Sequence, residues 1–343
     1  MEDQHHQSIW LTSAEIASLW TCYMNNSMSK YFLLFTLKGV QDEEIKQDVQ
    51  QAYDLSTKNM EEMSNLFLQE DFAIPNGFTE QDVNMDAPWL FTDTFCLSYI
   101  IEMARVGMVS YSGLLSMSAR ADIRHLFTNM LMNTQVLYNN SMEIALKKGM
   151  YTRAPFMEVP KESDYINSKK YMSGMNPFSV KRPLNAVEMT HLFMNTVTNH
   201  VGAKLSLAFA QTSPLKDVRE YMLRGNKIAS KHIKIFSDTL LEDKIQTPQL
   251  PDVAVSNSST NVFSNKLMMF QMSLLAAAGL GNYATAAAAS QRSDIALNYE
   301  RLSLEIAQYA KDGADLMIKN AWLEQPPGTI DRERLIKRKD QLH

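Results

Sequence analysis

Apolar residues along this chain recur at spacings of three and four, the period of a helix that buries one face. Ile16, Leu19 and Tyr23, followed by Tyr31 and Leu34, make one such stripe. Val218, Met222, Gly225, Ala229, His232 and Phe236 make another. The pattern predicts helices near 13–38, 42–71, 88–117 and 119–149, and again near 186–211, 215–243, 261–289 and 291–322. Capping residues stand where helices should begin: Thr12 and Ser13 before Glu15, and Ser118 before Asp122. Pro75 and Pro248 close the second helix of each set, because proline cannot continue a helix.

The two sets are copies. Leu11, Glu15 and Leu19 fall on Leu184, Glu188 and Leu192 at an offset of 173 positions, and Lys58, Ser64, Leu68 and Pro75 fall on Lys231, Ser237, Leu241 and Pro248. One residue is then lost. At an offset of 172, Gly107 and Tyr111 match Gly279 and Tyr283, and Ser118, Arg120 and Asp122 match Ser290, Arg292 and Asp294. One register held across a whole half is the mark of an internal duplication.

Loop lengths then constrain the topology. The first and third connections in each half are a few residues, so the helices they join are antiparallel neighbours. The middle connection, about 72–87 and 246–260, reaches ~50 Å when extended. A helix of this length spans ~42 Å. One long crossover between two hairpins is the ferritin-like arrangement, with a wandering loop in a plain up-down bundle as the alternative. The expected fold is all-α: two tandem ferritin-like four-helix bundles, residues 1–155 and 184–343. Between them lies an irregular linker, 156–183, holding Pro160, Gly174, Pro177 and Pro183. The pattern leaves open whether the bundles share one core.

Composition agrees with helices throughout: 12 Gly and 11 Pro among 343 residues, with 23 Met that suit long helical cores. Acidic residues outnumber basic ones, 38 to 33, which argues against a nucleic-acid partner. The C-terminal run Arg332, Arg334, Lys337, Arg338, Lys339 is interleaved with acids and reads as a solvated tail. Cys22 and Cys96 sit in apolar runs and read as buried thiols. Met1–Trp10 lacks the layout of a signal peptide. The nearest thing to a membrane span, Leu267–Ala289, is rich in alanine and carries Gln271 and Asn282. A cytoplasmic protein is expected, with protein partners or self-association, no nucleic acid and no membrane span.

Candidate chemistry is sparse. A di-iron site in a four-helix bundle needs two Glu-x-x-His motifs and two further Glu residues. The chain offers one, Glu188 to His191, opposite Glu15 and Ser18 in the first half. Glu188 reads instead as an acid favoured at a helix N-terminus. A second constellation lies mid-bundle: His200, His232 and Glu305, with Gln271 near, opposite Ser27, Asn59, Asn133 and Tyr99 in the first half. Serine and asparagine are poor transition-metal ligands, so the first half should bind none. No cofactor is expected; the alternative is a single transition metal held by His200, His232 and Glu305. The favoured reading is a hydrogen-bonded polar layer that sets helix register. Ala276–Tyr283 has two of the glycines of a phosphate loop but no third and no preceding strand. It reads as a close-packing helix face, against the other half or another subunit, with a ligand cleft as the alternative. No catalytic residue is assigned.

The segments Leu11–Ile16, Gly77–Val83, Lys181–Ala186, Val218–Tyr221, Ala307–Ala314 and Trp322–Pro327 carry a family resemblance. The chain resembles the tandem family of spore-forming bacilli known as domain of unknown function 3231, over about residues 10–335. The resemblance implies a ferritin-like bundle in each half, distantly similar to spore coat protein F, and carries over no site residue. The expected role is non-enzymatic: contacts through helix surfaces, in the spore coat or the sporulating cell. Two alternatives stand beside it. One is a ferritin-like metal binder or oxidase with its site in the second bundle. The other is a carrier of an apolar small molecule between the helices.

Overall fold

The computed structural model describes residues 9–175, 181–249, 254–333 and 336. Among the described residues eight α-helices carry the fold: α1 (Ser13–Gly39), α2 (Glu43–Gln69), α3 (Asp93–Ser116), α4 (Ala121–Lys147), α5 (Ala186–Thr212), α6 (Lys216–Glu242), α7 (Asn265–Ala289) and α8 (Ser293–Lys319). Two expected starts move: α3 begins at Asp93 rather than near 88, and α7 at Asn265 rather than near 261. The residues just before them are pulled into backbone pairing with the opposite half, and Thr92 and Ser264 then cap the helices. α8 ends at Lys319 rather than near 322, because Ala321 turns left-handed at φ 55°.

Hydrogen bonds at the helix ends fix the directions. Glu15, at the start of α1, accepts from the Ala119 and Arg120 amides at the start of α4 at 3.0 and 2.7 Å. The Arg120 guanidinium meets Glu70, just past α2, at 2.7 Å. At the opposite end, the Asp42 amide donates to Asp93 at the start of α3 (2.8 Å), and Lys148, just past α4, bonds Asp42 (2.7 Å). So α2 ends where α1 and α4 begin, and α3 starts at the far end. The connection between α2 and α3 therefore crosses the bundle lengthwise. The second half repeats the arrangement: Glu188 accepts from Gln291 and Arg292, and Lys319 bonds Asp217.

The two crossovers meet. Asn84 N donates to Val262 O (2.7 Å), and Ser256 N to Leu90 O (2.8 Å). Thr92 N donates to Ala254 O (3.1 Å), and Ser264 N to Asp82 O (2.9 Å). Because 84, 90, 92 and 82 correspond to 256, 262, 264 and 254 in the duplication, these bonds are two pairs related by exchanging the halves. Isolated bridges Val83–Phe263 and Phe91–Val255 obey the same exchange. The chain is thus arranged as a covalent pseudo-dimer around an approximate twofold axis.

One hydrophobic core serves both bundles, running from Phe32, Phe35 and Ile100 through the crossover residues Phe91 and Phe263 to Leu205, Phe209 and Met268. Phe263 stacks on Phe32 at 5.2 Å and sits edge-on to Phe209 at 6.0 Å, joining the halves through aromatic contact. Separate apolar clusters close the outer ends, around Phe67 and Phe127 in one half and Phe236 and Tyr299 in the other.

Cys22 and Cys96 are buried free thiols. The described part of the linker is irregular and mostly exposed apart from a single 3-10 turn, Lys169–Met172. Arg182 stacks over Tyr171 at 4.0 Å and pairs with Glu188 at 2.7 Å. Among the described residues no helix is long and apolar enough to cross a membrane. Met1–Ser8 and the basic residues Arg334, Lys337, Arg338 and Lys339 lie outside the described residues.

Candidate functional site

His232 is fully buried on α6, with Nδ1 2.9 Å from the Tyr283 hydroxyl and Nε2 3.0 Å from Glu305 Oε2. Lys231 brings an ammonium to Glu305 at 2.9 Å, and Asn199 donates to the Tyr283 oxygen at 2.7 Å. Burial lowers the His232 pKa, outweighing the Glu305 bond that raises it. Burial also works to raise the Glu305 carboxyl, but the bonds from His232 and Lys231 hold it below its usual value. The network then reads as a neutral imidazole donating from Nε2 to a carboxylate while Nδ1 accepts the Tyr283 proton.

The other residues of the expected constellation go elsewhere. His200 is half-buried and bonds the Pro248 carbonyl in the second crossover. Gln271 lies at the join of the halves, where its Nε2 donates to the Tyr99 hydroxyl at 2.6 Å. Tyr99 and Gln271 are each other's counterparts in the duplication, so they meet beside the pseudo-twofold axis. His232 and Glu305 are brought together and His200 is not. Among the described residues no group of three or more His, Cys, Asp or Glu side chains is placed to hold a metal ion.

The first half holds the same layer in different residues. Asn59 occupies the position of His232, Asn26 that of Asn199 and Tyr111 that of Tyr283. Asn59 donates to Asn26 Oδ1 at 3.0 Å, and Asn26 donates to the Tyr111 oxygen at 3.2 Å. Each bundle is therefore tied at mid-height by a tyrosine from its third helix and two polar side chains from its first and second.

Beside each layer lies a cavity. In the first half it measures about 150 Å³ and is walled by Met28, Leu55, Met103 and Leu137, with Leu274 and Ala278 reaching in from α7. Two acceptors in its wall lack partners, Asn25 Oδ1 and Gln271 Oε1. Gln271 is only 2% exposed. If the amide is turned over, its nitrogen is left unpaired instead, so one polar atom stays open in either orientation. Glu102 is also in the wall, with its carboxylate bonded by Arg105 at 2.9 Å and by Thr198 at 3.2 Å. Burial raises its pKa against the pull of Arg105.

The second cavity is smaller, about 80 Å³, and is lined by His232, Tyr283, Gly225, Gly279 and Tyr309. Every residue in its wall except Met272 has its counterpart in the wall of the first. Thr198 and Leu275 belong to both walls, so the chambers are neighbours across the join. Periodicity had no means of finding these chambers, because a cavity is the absence of side-chain volume between helices. Only the mid-helix polar positions hinted at their location.

Residues 1–162 and 172–335 match the family described as Protein of unknown function (DUF3231). No curated protein matches the chain. A crystal structure of a candidate spore coat protein from Bacillus halodurans is similar at 18% identity, covering 46% of this chain and 99% of its own, with a TM-score of 0.38.

Proposed function

The chain belongs to the DUF3231 family, and we propose that it binds a small, uncharged, mostly apolar molecule in the cavity of its first half. The observation that carries this reading is Gln271 Oε1, buried in an otherwise largely apolar chamber with no protein partner. An unpaired buried polar atom costs ~1–3 kcal/mol. An occupant that donates a hydroxyl or N–H hydrogen removes that cost while its body fills apolar space. An engineered apolar cavity of about 150 Å³ takes up benzene, which sets the scale of the ligand at about one ring.

The wall suits holding rather than reaction. Burial pushes the Cys22 thiol up to about 12, and burial also raises the Tyr99 and Tyr111 hydroxyls, so none of the three is an ionised nucleophile near neutral pH. Of the alternatives, a metal site loses ground because His200 points to Pro248 rather than to His232. A setting in the spore coat or sporulating cell comes from the family resemblance alone.

Phenol and benzene form the test pair, titrated calorimetrically into the intact chain. Phenol is expected to bind saturably and more tightly than benzene. Gln271→Leu is expected to bring phenol to the level of benzene, since one hydrogen bond is worth ~1 kcal/mol. Ala278→Phe, which fills the chamber, is expected to abolish both. Absence of saturable binding of either probe, or phenol affinity unchanged in Gln271→Leu, overturns the reading.

A further inference from the structure

The second chamber is not a shrunken remnant of the first. At matched positions Asn59 becomes His232, Leu137 becomes Tyr309, Ala52 becomes Gly225 and Thr134 becomes Ile306. Two of these changes work together. A Cβ at position 225 would stand 2.4 Å from the Tyr309 hydroxyl oxygen, so glycine there is what lets that hydroxyl occupy its place. The hydroxyl so accommodated has no hydrogen-bond partner, although Tyr309 is only 5% exposed and lines the chamber.

The polar atoms left open differ in kind between the chambers. In the first, with the Gln271 nitrogen on the Tyr99 hydroxyl, the open atoms are amide oxygens, which accept. The second leaves a tyrosine hydroxyl, which can donate. His232 does not compete for a ligand, because both ring nitrogens are already engaged by Tyr283 and Glu305. It serves to hold Tyr283 as a fixed wall.

We infer that the second chamber is a binding site of its own, taking a short-chain molecule whose carbonyl oxygen accepts from the Tyr309 hydroxyl. This extends the binding reading above to a second ligand of opposite hydrogen-bonding character. It follows that the duplication yields a two-ligand protein whose halves select a donor and an acceptor respectively. Thr198 and Leu275, as common wall, place the two ligands close to one another.

The test uses the intact chain with methyl-13C methionine, because Met272 lines the second chamber and Met28 and Met103 line the first. Single Met→Leu variants assign the signals. The probe is 2-butanone, with 2-methyl-1-butene as its counterpart lacking the oxygen. Saturable movement of the Met272 signal by 2-butanone, with the hydrocarbon about fivefold weaker, is expected from one hydrogen bond. Tyr309→Phe is expected to equalise the two probes and to leave the response of Met103 to phenol unchanged. Gly279→Leu, whose Cβ would meet only Ile306 at 3.5 Å, is expected to block the chamber. An unmoved Met272 signal, water as sole occupant, or a Tyr309→Phe variant that still prefers the ketone overturns the inference. The phenol response at Met103 reports the first chamber separately, so failure of one reading is told apart from failure of the other.

Discussion

Tyr221 on α6 and Tyr309 on α8 stack face to face, with ring centroids 4.2 Å apart and planes 10° from parallel. Each hydroxyl lies over a glycine one turn further along the other helix: Tyr309 over Gly225, and Tyr221 over Gly313. The Tyr221 hydroxyl also donates to the Tyr309 carbonyl at 3.2 Å. The same level of the first half holds Asp48, Leu137, Ala52 and Ser141 instead.

The two glycines are therefore steric requirements. A Cβ at Gly225 or Gly313 would stand 2.4 or 2.2 Å from a phenol oxygen whose ring is clamped by the stack. Gly225→Ala and Gly313→Ala are each expected to lower stability by ~1–3 kcal/mol in urea unfolding, as overpacking does. Gly281→Ala, on α7 with nothing within 4 Å of the new Cβ, is expected to raise it by ~0.5–1 kcal/mol.

Asp48 makes the first half sensitive to acid in the opposite sense from ordinary carboxylates. It is buried, Ser141 donates to Oδ2 at 2.7 Å, and Oδ1 has no partner. Burial pushes its pKa up to about 6 from 3.8, so the folded state binds the proton more tightly than the unfolded chain. The contribution of this group is then fully present below pH 3.8 and is lost as pH rises through about 6. A shift of this size corresponds to ~2–3 kcal/mol. Urea midpoints between pH 4 and 7 are expected to show this loss in the native chain and to lack it in Asp48→Asn.

Glu188 behaves the other way. It accepts from the Asn185, Gln291 and Arg292 amides and from the Arg182 side chain. Burial raises its pKa, but these bonds outweigh that and hold it below its usual value. Its stabilisation is present above the unfolded value of 4.5 and is lost as pH falls through the lower folded value. Glu188→Ala is expected to cost ~2–4 kcal/mol near neutral pH, since it strands several buried amides and Arg182. Reading that loss requires urea unfolding at pH 7 and again near pH 3, where the difference between the chains should narrow.

The polar layer yields an expectation about metals. Elemental analysis of the purified chain is expected to give iron, zinc and manganese well below one per chain, because His232 and Glu305 lack a third protein ligand among the described residues. His232→Ala is then expected to lower stability by ~2–4 kcal/mol through the cavity and the stranded Tyr283 hydroxyl, without changing metal content. About one tightly held metal, lost in His232→Ala, would be the contrary result.

Much of this was legible from residue order alone, and the reasons are local. Helix period, caps such as Thr12, and a constant offset between halves depend on neighbours within a few turns, so α1 to α8 and the duplication could be read directly. The length of the middle connection favoured a crossover over a wandering loop. Glu188 could be read as a helix-terminal acid, although its reach to the start of α8 could not. What required the tertiary structure was every relation set by packing between distant segments. Residues 88–92 looked helical but pair with the other crossover, because backbone groups buried at the join must find partners there. His200 and His232 shared a plausible level along their helices, yet rotation about the helix axis sent one to Pro248 and the other to Glu305. The chambers were invisible for the same reason. Their size and their unpaired atoms are differences between the volumes and hydrogen-bonding groups that several helices bring together, and no single stretch of chain contains that sum.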